Sequence, residues 1–366
     1  MRKVVGALAI CISSMTTVDA IAGDVPTFAE LKAAVFTARE SLARGQVIYH
    51  VEGTASLPEE RGGPPRQQKY VQDMTVWFDG DRLREDRRHD DGHRAVSCFG
   101  CLPDRMHVYY DNERLPRGTM ALVVTDYSET QPVLHGVVDP RWIGLHPTEL
   151  KVNVHFPPEM VRETFWREVP PGNARITQDR IGDIDCWRAE WHCVNNVDIK
   201  MTAWIASASA QILRFKEDYE QWGQKWSFSL EEEIGTVRGG DGKDYHVPVR
   251  LDFKRYIDSQ LHDSEIAEIQ YVSLNEPLDE RIFSLEGIDF INPGTPVVWA
   301  SERNRPGEEG ELVWDGERIA VTRLGTEEMA GRLSFSPVRS LLLFGTLGVC
   351  AALLIWYFVR RIKAAR

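Results

Sequence analysis

The sequence predicts a mainly β exported domain, of α+β class, that begins with one amphipathic helix and is followed by one C-terminal transmembrane helix. Three observations carry this: a helical apolar face over 27–44, a succession of period-two segments from residue 46 to residue 274, and a charge-free run over 340–359.

The N-terminus has the order of a secretory signal. Arg2 and Lys3 precede an uncharged, largely apolar run over 4–12, and small residues lead to Ala20-Ile21-Ala22, so cleavage is expected after Ala22. The run is too short to cross roughly 30 Å of hydrocarbon, which takes about 20 residues. Cys11 follows Ile10 inside the run rather than standing at the cleavage site, which argues against a lipid anchor there.

Residues 27–44 follow as the clearest helix. Thr27 and Glu30 stand in capping-box relation, Gly45 marks the stop, and Phe28, Leu31, Val35, Ala38 and Leu42 share a face that must pack on something. From Gln46 the period becomes two, which sends successive side chains to opposite faces. Val47, Tyr49 and Val51 oppose Ile48, His50 and Glu52; Met74, Val76 and Phe78 oppose Asp73, Thr75 and Trp77. Strands are expected at 46–56, 69–78, 81–88, 93–98, 106–111, 119–126, 174–181, 184–194, 197–205, 211–219, 226–234, 247–257 and 264–274. Turn signals such as Asp79-Gly80-Asp81, Asp91-Gly92 and Asn195-Asn196 separate them, which is the pattern of an antiparallel meander.

Between the two strand groups, 157–169 reads as a second helix crossing the sheet, bounded by Pro157-Pro158 and Pro170-Pro171-Gly172. Residues 303–311 read as a linker, and 312–324 as a short added hairpin. The run over 340–359 is apolar on every face and is followed by Arg360, Arg361, Lys363 and Arg366, the pattern of a stop-transfer helix with its basic end inside; Trp356 and Tyr357 suit the headgroup layer. The expected division is a signal peptide at 1–22, a β domain at 23–302, a linker and juxtamembrane segment at 303–339, a transmembrane helix at 340–359 and a cytoplasmic basic tail at 360–366.

Removing the net +1 of residues 1–22 and the +4 of the tail from the chain's −12 leaves −17 for residues 23–359. So acidic a domain repels phosphate backbones and anionic headgroups, which excludes nucleic acid as a partner. Cys98, Cys101, Cys186 and Cys193 lie outside the signal and the membrane helix, and in an oxidising compartment they are disulfide candidates. If 184–194 is one extended strand, Cys186 and Cys193 stand about 23 Å apart at roughly 3.3 Å per residue, too far to bridge each other. The options are a local Cys98–Cys101 link or a cross-strand pair that uses Cys186 or Cys193. A four-thiolate zinc site competes, but the second cysteine pair lacks the short ligand spacing that Cys98-Phe99-Gly100-Cys101 has.

The helix-first meander resembles the LolA-type lipoprotein-carrier family, which includes LolA-, LolB-, LppX- and RseB-type exported bacterial domains. Three stretches carry the resemblance: Val76-Trp77-Phe78-Asp79-Gly80-Asp81-Arg82-Leu83-Arg84-Glu85-Asp86, Asp139-Pro140-Arg141-Trp142-Ile143-Gly144-Leu145, and Leu278-Asp279-Glu280-Arg281-Ile282-Phe283-Ser284-Leu285. What it implies is a strongly curved antiparallel sheet forming an incomplete β-barrel, with an apolar face covered by helices and open to an acyl chain. The resemblance also implies a periplasmic domain, here tethered to the cell membrane by a single pass. A tether departs from freely diffusing carriers and favours a receptor, sensor or local handover protein.

By alternation, the candidate apolar cavity residues are Met74, Phe78, Leu122, Trp187, Trp191, Phe215, Phe228 and Phe253. His89-Asp90-Asp91-Gly92-His93, amid Arg87, Arg88 and Arg94, reads as a solvated hairpin tip rather than a metal site. No nucleophile-elbow, zincin or phosphate-loop pattern occurs, so neither an enzyme, a cofactor nor a metal is expected. The leading expectation is a membrane-tethered binding protein for a lipid, a lipoprotein acyl chain or another apolar ligand. The alternative is an envelope sensor or scaffold that binds a protein partner without a small ligand.

Overall fold

In the computed structural model of the chain, the described residues are 24–57, 66–90, 92, 94–102, 106–111, 122–126, 138–146, 161–194, 197–289, 291–299 and 311–322. The expected signal peptide, transmembrane helix and basic tail lie outside them. Among the described residues no helix is long and apolar enough to cross a membrane.

Among the described residues one α-helix, α1 (Phe28–Glu40), precedes sixteen strands. The first group is β1 (Arg44–Leu57), β2 (Arg66–Asp79), β3 (Arg82–His89), β4 (Arg94–Leu102), β5 (Met106–Asp111) and β6 (Leu122–Asp126). The second is β7 (Arg175–Ile181), β8 (Ile184–Val194), β9 (Asp198–Ala206), β10 (Ile212–Gln221), β11 (Gln224–Arg238), β12 (Asp244–Ile257) and β13 (Gln260–Leu274). Three short strands follow: β14 (Thr295–Trp299), β15 (Glu311–Trp314) and β16 (Ile319–Thr322). All belong to one open sheet in the order β16-β15-β14-β6-β5-β4-β3-β2-β1-β13-β12-β11-β10-β9-β8-β7. The two meanders join where β1 pairs with β13, so the strand after the helix lies mid-sheet.

The meander is antiparallel except at one place. β14 runs parallel to β6, with Val297 opposite Leu122, and β15 and β16 extend the sheet from it. A parallel pair needs a long crossover, and here that crossover is the whole second meander, so no local period announces it. β15 and β16 form the short hairpin expected at 312–324, which adds to the sheet from within the stretch assigned to a linker and juxtamembrane segment.

α1 begins as its capping box dictates: the Thr27 backbone N–H donates to Glu30 at 2.7 Å, and the Glu30 N–H donates to Thr27 Oγ1 at 3.3 Å. The helix is shorter than 27–44, because Ser41 caps it and the chain is already in β1 at Arg44. Its buried face holds Phe28, Leu31, Val35, Phe36 and Arg39, so Phe36 and Arg39 take the place expected for Ala38. The helix expected at 157–169 is reduced, within the described residues, to one π-turn at Val161–Phe165. The Trp166 N–H bonds the Val161 carbonyl at 3.1 Å, and the wide turn lets Phe165 and Trp166 both enter the core.

Among the described residues, the two larger of three buried apolar clusters lie on opposite faces of the sheet. The larger, here the core face, carries Val47, Tyr49, Met74, Phe78, Trp187, Trp191, Phe215 and Phe253 under α1. Register sets Arg84 opposite Cys98 and Asp86 opposite Val96, one residue out of phase with Phe78 and Val76. Val96 and Cys98 therefore face the other way, where Leu285, Ile288, Ile291, Val297, Leu312 and Trp314 cover them.

Candidate functional site

The core face is capped by aromatic residues that pack on one another. Phe28 of α1 lies 5.0 Å from Trp191, Trp191 lies 5.1 Å from Trp166, and Phe215 meets Trp191 edge-on at 5.8 Å. Two of the buried indole N–H groups donate to carbonyls, Trp166 to Leu145 at 2.7 Å and Trp191 to Phe165 at 2.8 Å, whereas that of Trp187 has no partner among the described residues. Of the residues chosen by alternation, Met74, Phe78, Trp187, Trp191, Phe215 and Phe253 all sit in this core, and Phe228 packs against it half-buried. Leu122 is placed in β6, and its side chain lies outside the described residues.

Phe228 is one of the partly buried residues through which the core reaches the surface. It lies 6.1 Å from buried Phe253, 6.0 Å from Tyr219 and 6.4 Å from Trp226, and Tyr219 stacks on Trp226 at 6.1 Å with rings 2° from parallel. Strand register builds this strip: Tyr219 opposes Trp226, and Phe228 follows two residues on along the same face. Sequence reasoning left out Tyr219 and Trp226, although they share parity with Phe215 and Phe228. Glu217, between Phe215 and Tyr219 on that face, interrupts the apolar pattern that would have flagged them.

Ionisable side chains flank the strip. Glu217, across from Phe228, holds His146 at 3.1 Å, and Arg255, on the other side of Phe228, pairs with Asp263. Farther on, the Tyr70 ring lies over Gly53, where a Cβ would overlap it, and its hydroxyl donates to Glu265 at 2.7 Å. Beneath α1, Arg39 Nη2 donates to Glu232 at 3.0 Å, with the two side chains 1% and 0% exposed. Burial pushes the Glu232 carboxyl up to about 7 despite the arginine. The adjacent backbone is Gly144, at φ +80°, where any Cβ would overlap that carboxylate.

The three family-like stretches meet around β2 and β3. Arg82 pairs with Glu280 and lies 4.7 Å over the Phe283 ring. Arg84 donates to both carboxylate oxygens of Asp86 and, at 2.9 Å each, to the carbonyls of Ile282 and Gly287. From the second stretch, Arg141 covers Phe78 at 5.7 Å, and the neighbouring Val138 N–H donates to Glu85 at 2.9 Å.

Cys186 and Cys193 are free thiols, which removes the cross-strand disulfide considered for them. They lie on opposite faces of β8, in different clusters. Cys98 is buried and disulfide-bonded, and the side chain of Cys101 lies outside the described residues. Burial, chiefly, raises the Cys193 thiol to about 12. Among the described residues no three histidine, cysteine or acidic side chains are arranged to hold a metal.

No family model matches the chain, and no curated protein matches it. Solved structures similar to it include the following three. An outer membrane lipoprotein-sorting protein domain from Vibrio parahaemolyticus has a TM-score of 0.40 at 11% identity, covering 70% of this chain and 97% of that one. A DUF1329 family protein from Desulfovibrio piger has a TM-score of 0.40 at 8% identity, covering 71% and 98%. A LolA superfamily protein from Nitrosomonas europaea has a TM-score of 0.38 at 10% identity, covering 72% and 100%.

Proposed function

We propose that this chain is an exported protein, tethered to a bacterial cell membrane by residues 340–359, that takes up a lipid or lipoprotein acyl chain on the core face of an incomplete barrel. The observation that carries this reading is the aromatic strip of Tyr219, Trp226 and Phe228, half-buried and continuous with buried Phe253. Apolar surface of this kind gives about 25 cal/mol per Å² on burial without demanding exact polar partners, which suits an acyl chain. Entry beyond Phe228 requires α1 to shift, since Phe28, Trp166 and Trp191 fill the space beneath it.

That filling also favours a second reading, an envelope sensor that binds a protein partner through the same strip and leaves the core closed. Titrating residues 23–335 with a fluorescent fatty acid, and analysing co-purified lipid by mass spectrometry, separates the two. Saturable binding quenched by lipid supports uptake; a ligand-free domain that ignores the probe refutes it, and crosslinking in membranes would then be expected to recover a specific envelope protein.

A further inference from the structure

The tip between β10 and β11 carries an indole at a position that suits other residues better. Gln221 pairs with Gln224, so Trp222 and Gly223 form a two-residue loop, with φ of +54° and +75°. Such loops favour asparagine, aspartate or glycine at the first position, because a bulky side chain is strained in the left-handed region. The next tip along, between β12 and β13, meets the same demand with Asp258 and Ser259, at +49° and +67°. Trp222 is 82% exposed, so packing within the fold does not offset its strain. A strained, solvent-facing aromatic points to a contact made outside the domain.

The surroundings define that contact. The two tips are pinned side by side: the Lys225 N–H donates to Asp258 Oδ1 at 2.9 Å, and the Asp258 N–H donates to the Lys225 carbonyl at 2.8 Å. The second tip adds Leu261, 51% exposed, and uncharged Gln221, Gln224, Ser259 and Gln260 stand around them. Immediately beneath, Tyr219 and Trp226 begin the strip that leads to Phe228 and the core.

We propose that this pair of tips is a lipid-contacting edge, with Trp222 and Leu261 seated in the headgroup layer of a zwitterionic lipid surface. An indole, with an apolar body and one polar N–H, favours that layer. The −17 charge of residues 23–359 sets the preference against anionic lipid. The inference rests on the reading above for what passes along the strip, while the contact itself is tested separately.

The test reconstitutes the full chain by detergent removal into phosphatidylcholine vesicles, with or without bromine on the acyl chains, and compares tryptophan quenching in the wild type and in Trp222→Asn. Quenching is expected to be greater in the wild type, and Trp356 contributes equally to both. The unfolding midpoint of the variant is expected to rise by about 2 °C, because asparagine fits the turn. Equal quenching would overturn the proposal, and a midpoint that does not rise would remove the strain it depends on. A quenching difference in a protein that binds no fatty acid would sustain the lipid contact and defeat the uptake reading alone.

Discussion

Arg39 of α1 and Glu232 of β11 form an ion pair sealed from water, with one 3.0 Å hydrogen bond and with Arg39 Nη1 and Glu232 Oε1 left without partners. Truncating one member strands the other charge, so Arg39→Ala is expected to cost about 3–5 kcal/mol at pH 8. The double replacement Arg39→Met with Glu232→Leu removes both charges and is expected to be near neutral. Urea denaturation of the two variants measures the contrast.

The same pair sets a pH dependence of defined sign. Because burial raises the folded-state pKa of Glu232 from 4.5 to about 7, the native state holds this proton more tightly than the unfolded chain does. Its contribution is fully present below about pH 4.5 and is lost as pH rises towards 7. Stability measured from pH 5 to 8 should therefore fall more steeply in the wild type than in Glu232→Gln, and Arg39→Ala should cost less at pH 5 than at pH 8. Parallel profiles for wild type and Glu232→Gln would contradict this.

Arg84 is 4% exposed and ties β3 to the turns at 280–287 while stacking 5.0 Å from Trp77. A lysine cannot reproduce this planar, four-bond arrangement. Arg84→Lys is expected to destabilise the domain by about 2–3 kcal/mol, given what charge-assisted hydrogen bonds contribute. Hydrogen exchange should then quicken first at 280–291, ahead of α1.

On the strip, Phe228→Ala is expected to weaken fatty-acid binding about tenfold, equivalent to about 1.4 kcal/mol. Stability should change less than in Phe253→Ala, because Phe228 is half-buried and Phe253 is 2% exposed. Isothermal titration beside thermal melts of both variants provides the check.

The thiols of Cys186 and Cys193 are held up by burial, the latter to about 12, and thiolates are the reactive form. Iodoacetamide at pH 8 should leave both unmodified in the folded protein and alkylate both in denaturant. Mass spectrometry of the digested protein reads the outcome.

The meander was legible because each strand is patterned by a face that is buried or wet: Met74, Val76 and Phe78 alternate with Asp73, Thr75 and Trp77, and the structure buries the first set. β14 was not legible, since its partner β6 is remote in sequence and five residues carry little period. Helix 157–169 was over-read because its proline brackets match a helix, whereas Phe165 and Trp166 are both drawn inward by the aromatic core. The buried faces of the candidate site followed from parity alone. Its exposed end did not, because Tyr219 and Trp226 are identified only once β10 and β11 are laid in register.

Having its two larger cores on opposite sides gives this sheet separate fastenings. The residues at 280–289 grip β3 and β4 from behind, through Arg82, Arg84 and the packing of Leu285 and Ile288. The two sides of β3 and β4 are therefore held by different residues, so a substitution behind the sheet is expected to leave the packing under α1 in place.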